Sequence, residues 1–506
     1  MAEVRRLPVV AFLTCALVLG GSVARGTTGD AKTVLPALPA PSEAPDLALS
    51  SSWYCAGATS PGGAAPGDLL VDNAGPGPVK ATVRLVWSSG SSEETGFSVP
   101  SGSAQVVPED LPASPFFSAA QWVGAVVTLY GGMASVSQVV STRQASASQP
   151  CASSASSQWY FPDGATLRNA SDVISLLNPY PVDAVADLSF TTELGQEQPD
   201  AFRGVVVPAR GLTVLDLGSH LRRRSHIAVT VTTRQGGIVA FQTELVTKPP
   251  AHAPRLGTPG ALDPVLPQPG TGLTLGAPQT STSWWWPEGA DGRGFTERYV
   301  VYNPGGATAQ LTLSLVAAGS GAGTGSSQEL TVGPDATSVL TINGQSWALP
   351  GIAYAVHLQS TNGVPVVAER SVTAGAPSLY RGTAGLLGEA VPAEQWLVAP
   401  NVQVLEPRIW LEVVDPGTRP AVVSVELVPA SRRQAVPASR RQAVVGLASL
   451  VVAPGQHAEE QLSGAVTDQV LIVSSTQPVL LEKDSYAVPP ATGVNLAPVV
   501  VLGPAS

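Results

Sequence analysis

The feature that most constrains how this chain folds is a fourfold internal repetition of its sequence. Each copy opens with a tryptophan, and an apolar run that ends in Asn or Asp follows 19 or 20 residues later. An Asn or Asp side chain starts a turn, and a proline after it cannot continue a central strand. Each copy is therefore predicted to contain a strand that ends in a turn at this position. The paired positions are Trp53 and Asn73, Trp159 and Asn178, Trp284 and Asn303, and Trp396 and Asp415.

A strict alternation of apolar and polar residues begins eight residues after each of these Asn or Asp positions. Alternation with a period of two is typical of a strand with one buried face, and a sheet with one wet face is usually antiparallel. The inward residues are predicted to be Ala81, Val83 and Leu85; Ala186, Leu188 and Phe190; Leu311, Leu313 and Leu315; and Val423, Val425 and Leu427.

Each copy closes with two apolar runs separated by turn residues, which is the pattern of a β-hairpin. A polar residue recurs at the end of the second run, where we expect it to satisfy backbone groups of a neighbouring strand rather than to contact a ligand. The four residues are Gln138, Gln242, Glu369 and Glu482.

Six or seven short strands in about 90 residues favour a sandwich of two packed sheets. The predicted fold class is all-β, with four tandem immunoglobulin-like antiparallel β-sandwich modules. Segments rich in Pro and Gly border them, and the longer one suggests a hinge or extended spacer. The predicted modules span residues 51–148, 157–249, 283–377 and 394–490, and the predicted linkers span 25–50 and 250–282.

The N-terminus has the three parts of a secretory signal: Arg5 and Arg6, an apolar run over 7–21, and small residues ending at Ala24. Residues 1–24 are predicted to be a cleaved signal peptide. The alternative is an uncleaved membrane anchor, because the apolar segment is at the lower length limit for spanning a bilayer. Either way the chain is expected outside the cytoplasm, secreted or held at the outer face of the cytoplasmic membrane.

Two cysteines, Cys55 and Cys151, would remain after cleavage and bracket the first module. An even count in an exported protein favours a disulfide, which would stabilise this module by about 4–5 kcal/mol in the chain-entropy model. The competing interpretation, free thiols as metal ligands or a nucleophile, finds no His or further Cys at a suitable spacing.

The charge balance and the missing motifs limit the functional classes. The net charge is −10, and −11 without residues 1–24, so the chain should repel nucleic acid and anionic lipid. The five histidines show no metal-ligand spacing, and no catalytic or phosphate-binding motif occurs. The sequence therefore predicts no catalytic, metal or cofactor-binding residue. Asp163 and Glu288, at equivalent positions beside Pro and Gly, are interpreted as turn residues.

The run Trp284, Trp285 and Trp286 is the sharpest local feature. Neighbouring residues of a strand point to opposite faces, so one ring should face outward if the other two enter the core. An outward indole could stack on a sugar or anchor a partner, which makes the run a possible ligand platform. The other interpretation is packing between modules.

Three sequence elements resemble those of a known family: Trp-Tyr-Phe-Pro-Asp-Gly at 159–164, Leu-Leu-Asn-Pro at 176–179, and Pro-Val-Val-Ala-Glu-Arg at 365–370. They look like the secreted actinobacterial proteins known as domain of unknown function 5719. The resemblance implies a location in the cell envelope. It transfers no catalytic residues, because that family carries no established activity.

Together these features predict a non-catalytic, exported cell-envelope protein with a structural or binding role toward a wall polymer or an envelope protein. The main alternative is an envelope glycan hydrolase that uses dispersed carboxylates, and a further alternative is a pure spacer. A pocket holding two close acids would favour the hydrolase.

Overall fold

The structure is a computed structural model, and it describes residues 49–109, 121–142, 145–247, 269–289, 292–317, 326–349, 351–401, 408–428, 449–462, 469–487 and 494–502. All of them belong to one compact unit, Pro39–Ser506. They form 33 β-strands and two 3₁₀ turns, with no α-helix among them. A search of these residues found no helix able to span a membrane. The predicted signal peptide and residues 25–48 of the first predicted linker lie outside the described residues.

Repeat 1, residues 51–150, forms two antiparallel sheets. Its strands are β1 (Ser51–Thr59), β2 (Gly67–Asn73), β3 (Val79–Trp87), β4 (Ser92–Val99), β5 (Ser103–Pro108), β6 (Trp122–Tyr130), β7 (Ala134–Ser141) and β8 (Ser146–Pro150). One sheet has the order β1-β6-β3-β4 and the other β5-β2-β7-β8. Both sheets contribute to one apolar core around Trp53, which includes the inward residues predicted from the alternation in β3.

Repeat 2, residues 158–275, also forms two antiparallel sheets. Its strands are β9 (Gln158–Phe161), β10 (Ala170–Leu177), β11 (Ala184–Thr192), β12 (Gly195–Glu197), β13 (Val205–Val207), β14 (Leu212–Asp216), β15 (Ile227–Gln235), β16 (Val239–Val246) and β17 (Gly270–Leu275), with 3₁₀ turns at Asp200–Phe202 and Leu217–Ser219. The orders are β12-β11-β15-β9, with β13 also on β11, and β14-β10-β16-β17. Residues 270–275 were predicted as linker, but they form a strand because β16 offers them a free edge.

Repeat 3, residues 283–387, has the orders of repeat 1. Its strands are β18 (Ser283–Gly289), β19 (Phe295–Asn303), β20 (Ala309–Ala317), β21 (Ser327–Val332), β22 (Ala336–Thr341), β23 (Tyr354–Ser360), β24 (Val367–Ala374) and β25 (Gly382–Leu387). The sheets are β18-β23-β20-β21 and β22-β19-β24-β25. Strand β25 lies beyond the predicted end of the module at residue 377, because it completes the sheet by pairing with β24.

Repeat 4, residues 393–501, keeps this arrangement with one long strand. Its strands are β26 (Ala393–Val398), β27 (Arg408–Asp415), β28 (Ala421–Leu427), β29 (Leu450–Val452), β30 (Gln456–Leu462), β31 (Leu471–Tyr486), β32 (Val494–Pro498) and β33 (Val500–Val501). The first part of β31 lies between β28 and β26, and its second part lies between β27 and β32. Strand β31 therefore serves both sheets of the repeat.

The strand order differs from that of an immunoglobulin domain at the first, fourth and seventh strands, and the fourth strand of repeats 1 and 3 pairs with the third, whereas in an immunoglobulin domain it lies beside the fifth. Immunoglobulin sheets place the first strand beside the second, and the last strand beside the sixth. In repeats 1 and 3 the opening strand instead pairs with the sixth strand, and the seventh pairs with the second. The pairings of the second with the fifth strand and of the third with the sixth are common to both arrangements.

Buried Asn side chains hold the predicted turns. In repeat 3 the Asn303 amide donates hydrogen bonds to the carbonyls of Ala307, Val332 and Gly333, and its oxygen accepts one from the Gly305 N–H. Asn73 and Asn178 make the same kind of contacts in repeats 1 and 2. The turn that was read from the sequence is therefore anchored by this side chain.

The four repeats contact one another in cyclic order. The four edge strands β8, β17, β25 and β32 each contact the next, and β32 contacts β8. Apolar residues of repeat 4, such as Ile472 and Val500, join the core of repeat 1. A disulfide joins Cys55 and Cys151, as predicted, with 4.9 Å between their Cα atoms. Strand β17, which lies within the predicted linker 250–282, packs against β25 of the next repeat.

Candidate functional site

The three consecutive tryptophans do not share one surface. Trp284 and Trp286 are buried, and their indole N–H groups donate to the carbonyls of Val366 and Leu386 at 2.9 and 3.1 Å. Trp285 is partly buried and stacks on His357 with 3.8 Å between ring centroids. It also packs beside Val414 and Leu480 of repeat 4, at the contact between the two repeats.

The acids at the two Pro- and Gly-flanked positions link neighbouring repeats. Asp163 follows β9, and its carboxylate contacts Nδ1 of His226 at 3.2 Å and Nη2 of Arg298 in repeat 3 at 3.4 Å. Glu288, in β18, contacts Nη2 of Arg370 at 2.8 Å and accepts a hydrogen bond from the Tyr486 hydroxyl of repeat 4. These positions are not simple exposed turns.

A cavity of about 70 Å³ lies between repeats 2 and 3. Three carboxylates and one guanidinium line it: Asp163, Glu244 on β16, Glu369 on β24 and Arg298 on β19. Ser171, Ser225, Ser371 and Thr383 add hydroxyl groups to its walls. Side chains from separate strands of both repeats therefore converge on one small polar space.

A glycine of β25 makes room for one of these carboxylates, because a Cβ atom at Gly385 would collide with Oε1 of Glu369. A Cβ atom at Gly272 on β17 would lie 3.5 Å from Oε2 of Glu244, which is ordinary van der Waals contact, whereas one at Gly270 would lie 2.9 Å from backbone atoms of Thr383 in repeat 3. Gly270, one of the glycines that made 250–282 look like a linker, therefore allows β17 to approach β25 closely.

The carboxylates around the cavity differ in the direction in which their pKa values are shifted. Burial raises the pKa of Glu244 to about 7. It raises the pKa of Glu369 well above the usual range, and the charges of Asp163 and Glu244 add to this. Burial also acts on Asp163, but the hydrogen bond with His226 and the charge of Arg298 outweigh it and lower the pKa of Asp163.

The recurring polar position at the end of each hairpin has two kinds of role. Gln138 accepts a hydrogen bond from the Gly57 N–H, and Gln242 donates one to the Asp163 carbonyl, as predicted for backbone partners. Glu369 is 2% exposed, and its Oε2 has no hydrogen-bond partner in the part of the chain that the structure describes. Glu482 instead contacts Nη1 of Arg370 at 2.7 Å. The backbone role is confirmed in repeats 1 and 2, whereas repeats 3 and 4 carry an acid there.

Part of the chain matches a known protein family. Residues 128–249 match the sequence model of a family of unknown function, DUF5719. The match runs from the end of β6 through β16 and supports the assignment to this family. A search of curated proteins found no similar protein. The DUF5719 match contains Asp163 and Glu244 of the cavity, whereas Arg298 and Glu369 lie in repeat 3, beyond it.

A second acidic cluster lies between repeats 3 and 4, outside the DUF5719 match. Oxygens of Glu288, Glu482 and Asp484 lie within 4.8 Å of one another, close enough to hold a metal ion. The fully buried guanidinium of Arg370 already lies among them, and it also contacts Glu297 at 3.2 Å. An arginine therefore supplies the positive charge at this junction.

Neither cluster was predicted from the sequence. Four of the acids, Asp163, Glu288, Glu369 and Glu482, stood out by their repeated positions, and others, such as Glu297 in β19 and Asp484 in β31, only as charged residues in otherwise apolar strands. These residues come together through contacts between repeats, and the members of neither cluster are separated by a regular number of residues in the sequence.

Proposed function

We propose that the protein is a non-catalytic component of the cell envelope, built as tandem immunoglobulin-like β-sandwich modules and exported to bind a wall polymer or an envelope protein. The disulfide between Cys55 and Cys151 is consistent with an extracytoplasmic location, where disulfides persist. The DUF5719 match agrees with the resemblance to exported proteins noted from the sequence.

The size of the junction cavity is the observation that carries the proposal. Its 70 Å³ would hold about five water molecules, whereas pockets for drug-sized ligands measure about 300–1,000 Å³. The carboxylates gathered there face a space too small for a glycan segment. Their contacts join repeats 2 and 3, which suits a scaffold better than a hydrolase.

Binding would then use the outer surface of the repeats. Tyr180, Val182 and Val206 of repeat 2 are 44%, 58% and 53% exposed; the first two lie between β10 and β11, and Val206 lies on β13, which pairs with β11. An exposed tyrosine ring together with exposed aliphatic groups offers an amphipathic surface for a sugar ring. We take this surface as the contact with the wall polymer.

The test is retention of the full secreted chain on isolated actinobacterial cell walls. Wild type should be retained, and a variant carrying Tyr180→Ser, Val182→Ser and Val206→Ser should lose most of its retention. A matched variant with Leu379→Ser and Val451→Ser, at side chains that are 71% and 70% exposed, should bind like wild type. If wild type is not retained, the proposal of wall binding is wrong, and binding to an envelope protein or a spacer role remains.

One observation favours the alternative, an envelope glycan hydrolase. The environments of Asp163 and Glu369 push their pKa values in opposite directions, as in an acid and base pair. Release of reducing sugars from the same walls, abolished by Glu369→Gln, would establish hydrolysis. The scaffold proposal predicts no release by either protein.

A further inference from the structure

The geometry points to a divalent cation site in the cavity between repeats 2 and 3, where we propose that Glu244 and Glu369 bind one Ca²⁺ ion. The proposal does not depend on wall binding. It rests on the charge balance of the cavity, on a buried carboxylate without a partner, and on a comparison with the neighbouring junction.

The cavity holds more carboxylates than cationic side chains. Asp163, Glu244 and Glu369 line the cavity with one guanidinium among the described residues, that of Arg298. The Arg298 guanidinium contacts Asp163 at 3.4 Å and donates to the Ser371 hydroxyl at 3.3 Å. No cationic side chain of the described residues forms a salt bridge with Glu244 or Glu369, so a divalent cation bound between them would supply the counter-charge of both carboxylates when they are ionised.

One carboxylate oxygen of Glu369 is buried without a hydrogen-bond partner among the described residues. Its side chain is 2% exposed and lines the cavity, and its Oε2 accepts no hydrogen bond from the described residues. A buried polar atom normally finds a partner, and leaving a carboxylate without one is costly. Gly385, whose missing Cβ leaves space for Oε1 of Glu369, keeps the carboxylate in this place. The structure therefore accommodates an acid here instead of excluding it.

At the junction between repeats 3 and 4, an arginine contacts buried carboxylates. There the buried guanidinium of Arg370 contacts Glu288, Glu482 and Asp484. Among the residues that the structure describes, no such side chain contacts Glu369. Both junctions gather carboxylates around one guanidinium, but Arg370 contacts the hairpin acid Glu482, whereas Arg298 contacts Asp163 and forms no salt bridge with the equivalent hairpin acid Glu369.

The chemistry and size of the cavity favour Ca²⁺. Its carboxylate and hydroxyl oxygens are hard ligands, and no sulfur or imidazole lines it. Ca²⁺ accepts six to eight oxygens in irregular geometry and includes water among them, whereas Mg²⁺ needs a near-regular octahedron. A space for about five waters holds one ion with part of its hydration shell.

The experiment is calorimetric titration of the chelator-treated full chain with Ca²⁺. One site is expected, with a Kd of about 10⁻⁴–10⁻³ M, the range of extracellular calcium modules. Melting should also shift upward in about 10 mM Ca²⁺ relative to chelator, because the ion binds the folded state. Glu369→Gln should weaken binding by at least about tenfold. Glu329→Gln, which changes an exposed acid on β21, should leave binding unchanged.

Two outcomes would overturn the assignment. The first is the absence of any binding or melting shift in wild type. The second is binding that survives Glu369→Gln and is lost in Glu482→Gln, which would place the ion at the junction of repeats 3 and 4. If Glu369→Gln does not fold, Glu244→Gln takes its place, because Glu244 is only partly buried and its loss removes the other proposed ligand.

Discussion

Replacement of Asp415 by Asn should stabilise repeat 4. The equivalent residues Asn73, Asn178 and Asn303 each donate two or three hydrogen bonds to backbone carbonyls through Nδ2. The Asp415 carboxylate cannot donate these hydrogen bonds, and its buried Oδ2 accepts no hydrogen bond of normal geometry from the described residues. Burial raises the pKa of Asp415, an effect that the N–H groups of Gly417 and Ala421 partly offset.

The magnitude follows from the hydrogen bonds gained. Two new bonds at about 0.5–1.5 kcal/mol each, less the loss of the weak contact with Ala421, give a gain of about 1–2 kcal/mol. The measurement is urea unfolding at pH 7 followed by tryptophan fluorescence, in which Trp396 and Trp410 report on repeat 4. The reverse change, Asn303→Asp, should destabilise repeat 3 by a similar amount.

Acid gives an internal control for this prediction. The folded-state pKa of Asp415 is raised, so its carboxyl takes up a proton as the pH falls and can then donate a hydrogen bond. The gain from Asp415→Asn should therefore shrink toward pH 4. Equal or lower stability of the variant at pH 7 would refute the account of these Asn residues as turn anchors.

Three further predictions concern the buried groups. Removal of the disulfide by Cys55→Ser with Cys151→Ser should lower the stability of repeat 1 by up to about 4–5 kcal/mol, measured by chemical denaturation without reductant. Arg370→Met should cost about 3–5 kcal/mol, because it leaves several buried carboxylates without their cation, and melting at pH 7 measures this loss. Burial raises the pKa of Asp72 to about 7 and that of Glu109 to about 8. The stability that they contribute is complete below their unfolded-state pKa and is lost as the pH rises through 7 to 8, so melting temperatures should fall between pH 6.5 and 8.5, and less steeply in Asp72→Asn.

Local signals in the sequence were enough to predict part of the fold. The turn at Asn303 depends on contacts of its own side chain, and the alternation at Leu311, Leu313 and Leu315 depends on one strand, so both could be read directly. Strand β17 could not, because Gly270 and Gly272 look like linker residues until their contacts with repeat 3 and with Glu244 are known.

The candidate site was harder to predict for the same reason. Glu244 and Glu369 are 125 positions apart; both lie at the end of a closing hairpin, but the repeated pattern does not show that the two hairpins face each other. Only the contact between repeats 2 and 3 brings them to one cavity. Trp285 gave a strong local signal, but its partner His357 lies on β23, and that stacking decides which ring face is covered.

The cyclic contact of β8, β17, β25 and β32 removes a requirement that open repeat arrays have. An open array exposes an apolar face at each end and needs atypical end repeats to cover it. Here the core of repeat 1 is completed by Leu397, Ile472 and Val500 from the other end of the chain. Each repeat therefore acts as the cap of its neighbours, and the loss of any one of them, by truncation or by a cut between repeats, would uncover two apolar faces at once.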